Sequence, residues 1–201
     1  MSDAGWYSLK KRDKFQFHEE IEYRGNFEFD EVMDVEIIET ERLIIRPIAI
    51  TDAYDVFEWA SDPRVNKFMP YPLHDNVHQA EEWINSLENK NEFVFVLKSS
   101  GKVIGGGSMS YAEEYKAYEL GYNLKSQYWG MGYATEASNA MIRWAYQSLG
   151  ARDFFARHAN ENYASGNVIK KCGFQFENYG TIEKYDGSKI FEASCYRLHI
   201  E

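Results

Sequence analysis

Two hydrophobic periods alternate along most of this chain, and the switches between them divide it into elements. Residues 39–47 read as a strand ended by Pro47, which has no N–H to give to a ladder. Thr51 and Asp52 then stand at a helix start, and Ala53, Val56, Phe57 and Ala60 give that helix one buried face before Pro63. A second helix fits 77–87, after the aromatic and proline-rich loop at 68–72. Strand signals follow at 93–97, 103–111 and 117–124, the first two parted by Ser99-Ser100-Gly101. Ala134, Ala137, Met141, Ile142, Ala145 and Leu149 recur at helical spacing until Gly150 stops the run. A strand over 154–159, a short helix over 165–171 and two strands flanking Asp186-Gly187 complete the series. Strand, two helices, three strands, helix, strand, helix and two strands predict an α/β domain of the layered α+β kind over 37–201. No internal repeat appears.

Residues 1–36 have a different character. Ile21, Tyr23, Phe27 and Phe29 alternate with polar residues around Arg24-Gly25-Asn26, which predicts a β-hairpin-like arm. The arm is acidic as well as aromatic, so it is expected to fold back on the body or to pair with a second subunit as a homodimer.

Composition narrows the partners. With 201 residues the chain is long enough for one self-sufficient core. Acidic residues outnumber basic ones by 32 to 22, for a formal charge of −10, and no basic cluster exceeds Lys10-Lys11-Arg12. Nucleic acid is therefore not an expected partner, while an acidic surface suits a cationic acceptor such as an amine. The two cysteines, Cys172 and Cys195, are too few for a disulfide framework and lack zinc-site spacing, so no metal is expected. No basic stretch followed by an apolar run opens the chain, and nowhere do 18 apolar residues run together, which points to a cytoplasmic protein with no membrane partner.

The chemistry concentrates in Gln127-Tyr128-Trp129-Gly130-Met131-Gly132-Tyr133-Ala134, between an expected strand and the long helix. Amides at a helix start have no intrahelical partner and carry partial positive charge, so a diphosphate can rest against them, and Gly130 and Gly132 remove the side chains that would block it. Thr135 stands where a dinucleotide fingerprint needs its third glycine, and Tyr133-Ala134 where a P-loop needs Lys-Ser/Thr. A tight strand-to-helix turn without a ligand is the plain alternative.

The Gln-x-x-Gly-x-Gly spacing resembles the acetyl-CoA signature of the GCN5-related N-acetyltransferase (GNAT) family. A downstream block, Asn162-x-x-Ser165-x-x-Val168-x-x-Lys171-x-Gly173-Phe174, resembles the RimJ/RimL-like branch, as do the opening strand at 40–47 and Glu119-Leu120-Gly121-Tyr122. The resemblance covers roughly 38–200. It implies a central, mostly antiparallel mixed sheet flanked by helices and splayed between the fourth and fifth strands, here 117–124 and 154–159. It also implies acetyl-CoA in that splay, with its diphosphate on Gln127 to Ala134 and its pantetheine along Tyr122, Asn123 and Leu124.

The same resemblance assigns roles to single residues. Glu119 stands where several members carry a general base, and a plain ion pair or strand-edge cap is the alternative. Ser165 is the candidate proton donor to the leaving thiolate, or else a helix cap. Asn162 is expected to hydrogen-bond the pantetheine or shape the turn. Trp59, Phe68, Met69 and Tyr71 are expected to line the acceptor pocket, unless they are core. The implied activity is acetyl transfer from acetyl-CoA to a primary amine, either a protein N-terminus or a small molecule, by direct attack in a ternary complex. A catalytically silent acyl-CoA-binding module that regulates a partner is the rival.

Overall fold

A computed structural model describes residues 37–87 and 91–201. The aromatic arm, with its expected hairpin and dimer contact, lies outside the described residues. The body is one eight-stranded sheet with helices on both faces.

The expected opening strand is two short ones, β1 (Ile38–Glu39) and β2 (Leu43–Pro47), paired antiparallel with Ile38 opposite Ile45. Thr40 makes the difference. Its amide donates to the Leu43 carbonyl at 2.9 Å and its hydroxyl accepts from the Leu43 amide at 2.8 Å, which closes a tight turn inside what reads as continuous β pattern. Arg46 then holds the buried Asp52 through two 2.7 Å bonds, and Asp52 accepts from the Ala49 amide, so this aspartate shapes the approach to helix α1 (Ala53–Ala60) rather than capping it. Pro63 does more than end α1, because it is the first residue of a one-turn helix α2 (Pro63–Asn66) capped by Asp62.

After α3 (Val77–Asn85) come β3 (Glu92–Leu97), β4 (Val103–Ala112) and β5 (Ala117–Leu124). The long helix α4 (Tyr133–Ser148), β6 (Asp153–Ala159), α5 (Tyr163–Lys171), β7 (Gln175–Glu183) and β8 (Ile190–His199) follow. The spatial order is β1-β2-β3-β4-β5-β6-β8-β7. Among the described strands only β5 and β6 pair in parallel.

Both faces of the sheet centre are covered. Phe93, Phe95, Met109, Leu120 and Leu124 pack with Ala137, Met141 and Ala145 of α4, while Val94 joins Val56, Trp59, Ala60, Ala80 and Ile84 of α1 and α3. Burial on both sides explains why β3 reads as a continuous apolar run instead of alternating. Each large side chain removed from water here contributes on the order of 1.5–3 kcal/mol. At the end of β5, buried Lys125 bonds Asp55 and Glu58 of α1, each at 2.6 Å, which ties that helix to the sheet. No helix among the described residues is long and apolar enough to cross a membrane.

Candidate active site

Strands β5 and β6 pair only at Tyr118 with Phe154 and at Glu119 with Phe155, then part. Each is held from its outer side, β5 by β4 through Leu124 and β6 by β8 through Ala159, so the gap is imposed by the flanking ladders. A cleft of about 400 Å³ occupies this region of the sheet, between β5, β6, the 68–74 loop and the β7–β8 hairpin.

The glycine turn links the end of β5 to α4. Gly130 and Gly132 have φ of +74° and +83°, a region open to glycine and costly for other residues. Gly132 is the N-cap of α4 and no side chain caps the helix. The first intrahelical bond runs from the Glu136 amide to the Gly132 carbonyl at 3.1 Å, which leaves the amides of Tyr133, Ala134 and Thr135 without intrahelical partners. Arg42 holds the turn: it donates to the Met131 carbonyl at 3.0 Å and to Glu136 at 2.6 Å, and it lies 4.3 Å from the Tyr133 ring centre. Burial alone would raise the Glu136 carboxyl, but bonds from Thr40 and Arg42 hold it below the usual range. Trp129 donates from its indole to the Leu124 carbonyl, while Gln127 and Met131 face outward.

Across the gap, the Tyr122 and Ser165 hydroxyls meet at 2.8 Å, and Tyr122 also donates to the Ser165 carbonyl at 3.0 Å. Burial pushes the Tyr122 hydroxyl well above its ordinary value, so it stays protonated. The cap of α5 is Asn162, whose side chain accepts from the Ser165 amide, and Ser165 has no capping role. Asn123 and Leu124 complete the β5 edge, and the Asn123 side-chain oxygen is buried without a partner. Tyr163 is exposed and turned away. His158 is buried against the Ala159 carbonyl, and burial raises the Cys172 thiol to about 11, so neither departs from a structural role.

Trp59, Phe68, Met69 and Tyr71 line the cleft opposite the gap, although Trp59 is also fully packed in the α1–α3 core. The Tyr71 hydroxyl lies near the Trp59 indole and finds no acceptor for its own proton. Sequence reasoning missed the other wall, which is the tip of the β7–β8 hairpin. Lys184 donates to the side-chain oxygen of Asn66 at 3.0 Å and to the Met69 carbonyl at 3.0 Å, and the Tyr185 amide donates to the Pro70 carbonyl at 2.8 Å. A lysine among polar neighbours in a hairpin carries no local signal of such a contact.

Three carboxylates line the cleft from the sheet, Glu183 of β7 together with Glu119 and Glu92. Glu119 accepts from Arg157 at 3.1 Å, and Arg157 also donates to the Tyr115 hydroxyl and the Thr181 carbonyl. Glu92 was not singled out in the sequence, yet burial raises its carboxyl to about 7. Among the described residues no cluster of three or more His, Cys, Asp or Glu side chains could hold a metal ion.

Residues 42–175 match the acetyltransferase (GNAT) domain family. The uncharacterized N-acetyltransferase p20 of Bacillus licheniformis is 33% identical over 163 residues, covering 77% of this chain and 90% of that protein. The ribosomal protein uS5-alanine N-acetyltransferase of Escherichia coli is 26% identical over 153 residues, covering 70% and 78%. A GNAT-family acetyltransferase structure from Bacillus anthracis superposes with a TM-score of 0.72 at 24% identity, covering 82% of this chain and 98% of that one.

Proposed function

The chain belongs to the acetyltransferase (GNAT) domain family, and from that premise we propose that it moves an acetyl group from acetyl-CoA to a cationic primary amine held in the acidic cleft. The observation that carries this reading is the splay of β5 from β6 over an acidic cleft, with an uncapped α4 start only eight residues beyond the end of β5. The diphosphate rests on Gln127 to Ala134, and the pantetheine runs along Tyr122, Asn123 and Leu124 with Asn162 and Ser165 at its far side. An amide on the unpaired edge of β5 polarises the thioester carbonyl. The amine nitrogen attacks that carbon, the C–S bond breaks, and the electron pair leaves on sulfur. Ser165, bonded to the protonated Tyr122 hydroxyl, then supplies the thiolate proton. Glu119 receives the acceptor's ammonium beside the thioester, with Arg157 fixing its carboxylate in place.

Trp59, Phe68, Met69 and Tyr71 form the acceptor walls in this reading. Kinship with the RimJ/RimL-like branch favours a peptide α-amine over a diamine. Residues 37–201 then make up the catalytic domain and residues 1–36 an extension of it. Calorimetry with acetyl-CoA, followed by thiol release across a panel of peptides and diamines, tests the whole proposal. Binding with release on peptides is expected. Release on diamines alone would remove the peptide reading, and binding without any release would favour a silent regulatory module.

Lys184→Ala follows from the same geometry. Without its bonds to Asn66 and Met69 the 68–74 loop keeps only the backbone bond from Tyr185 to Pro70 of the hydrogen bonds described between it and β7–β8. The KM for the amine is expected to rise roughly tenfold, about 1.4 kcal/mol of lost positioning, with acetyl-CoA affinity unchanged. Steady-state kinetics on the amine together with acetyl-CoA calorimetry separate these effects.

A further inference from the structure

An acceptor amine arrives as an ammonium ion and attacks only after losing a proton. Glu119 already accepts from Arg157, so a proton moving to it must compete with a fixed guanidinium. Glu92 is placed differently. It opens β3 opposite Ser108, which in turn lies opposite Gly121, so the three form one row across the sheet on the cleft face. Two strand spacings, about 10 Å between Cα atoms, separate Glu92 from Gly121. Gly121 is the second residue past the last β5–β6 pair, at the mouth of the gap. The Ser108 hydroxyl occupies the space over it, since a Cβ on Gly121 would stand 2.5 Å from Ser108 Oγ.

No hydrogen bond or ion pair engages the Glu92 carboxylate among the described residues, and burial is the sole cause acting on it. The titratable groups facing the same cleft are Glu119 and Tyr122 on β5, Arg157 and His158 on β6, Glu183 and Tyr185 on the β7–β8 hairpin, and Tyr71 and His74 ahead of α3. Tyr185 lines the same cleft and feels the charges of Glu119, Arg157 and Glu92. Burial lowers His74, which is neutral near pH 7 and adds no charge there.

We propose that Glu92 is the proton acceptor of acetyl transfer, taking the ammonium proton through the Ser108 hydroxyl or one water in the same row. This rests on the acetyl-transfer reading and deepens it. The ammonium gives one proton to the Glu92 carboxylate, and the freed lone pair forms the C–N bond as the C–S bond breaks onto sulfur. The second proton shed by the nitrogen restores the Ser165 hydroxyl after Ser165 has protonated the thiolate, and Glu92 returns its own to solvent. A carboxyl that ionises near neutrality is matched to this work, where an ordinary carboxylate is too weak a base.

The amine that wild type acetylates fastest is the probe. In wild type, kcat/KM is expected to rise with pH through an apparent pKa near 7 and then level off, because only ionised Glu92 accepts the proton. Glu92→Gln is expected to lower kcat by roughly a hundredfold or more and to lose that limb, with acetyl-CoA affinity unchanged by calorimetry. Glu92→Asp is expected to keep the limb at reduced rate, and Ser108→Ala to slow turnover while keeping it. Glu92→Gln with near wild-type kcat and an intact limb overturns the proposal. So does a limb that vanishes in Glu119→Gln instead. Wild type that binds acetyl-CoA but acetylates no amine overturns the acetyl-transfer reading and this step with it, a result distinct from active wild type with an equally active Glu92→Gln.

Discussion

Valine at position 132 is expected to weaken acetyl-CoA binding by roughly a hundredfold while the domain remains folded. Gly132 sits at φ +83°, where an L-residue costs about 1–2 kcal/mol and a β-branched one more. That cost has two outlets. If the turn keeps its shape, the new side chain stands where the cofactor's phosphates would approach, with its Cβ 3.4 Å from the Arg42 guanidinium. If the turn relaxes, the Tyr133, Ala134 and Thr135 amides swing out of line and Arg42 loses the Met131 carbonyl. Both outlets lower affinity. Gly150→Val is the control, because Gly150 also has positive φ, at +66°, but closes α4 at its far end with open space around its Cβ position. Calorimetry should show weak binding by Gly132→Val and ordinary binding by Gly150→Val, with thermal midpoints lowered in both. Ordinary affinity in Gly132→Val would remove the phosphate-cradle role of the turn.

What the sequence disclosed and what it hid divide by the range of the interaction. The long helix, the glycine turn and the buried β3 run rest on periodicity and local backbone chemistry, and they stand in the structure where pattern puts them. Tyr122 and Ser165 meet across 43 positions, which no periodicity reports, although the motif resemblance had marked both. The divided opening strand escaped because Thr40 has ordinary strand character, and the hydroxyl that helps close its turn is also bonded to Glu136, 96 positions away. Lys184 escaped for the same reason, since its partners lie more than 110 positions upstream. Glu92 is the instructive miss. At the edge of an apolar run a glutamate reads as a solvated flank, and only the packing of the 68–74 loop and the β7–β8 hairpin over the sheet turns it into a desolvated group.

That desolvation makes a second large effect expected, this time in stability. Glu92→Gln should stabilise the protein by about 3 kcal/mol at pH 8 and by less than about 1 kcal/mol at pH 5. Burial raises the folded carboxyl to about 7 from its ordinary 4.5, so between those values the folded state binds more protons than the unfolded one. Stability contributed by this site therefore falls as pH rises through that window, and above it the full cost of burying the anion is present. Below it both states are protonated, and glutamine and neutral glutamic acid differ little. Denaturant unfolding of both proteins at pH 5, 6.5 and 8 measures the difference directly, and parallel curves would mean that Glu92 is solvated in the folded state. Divergence would tie the stability and rate measurements to one cause. A carboxylate buried in the cleft without a partner weakens the fold at the pH where it accepts a proton, and such a cost persists where function uses the desolvated group.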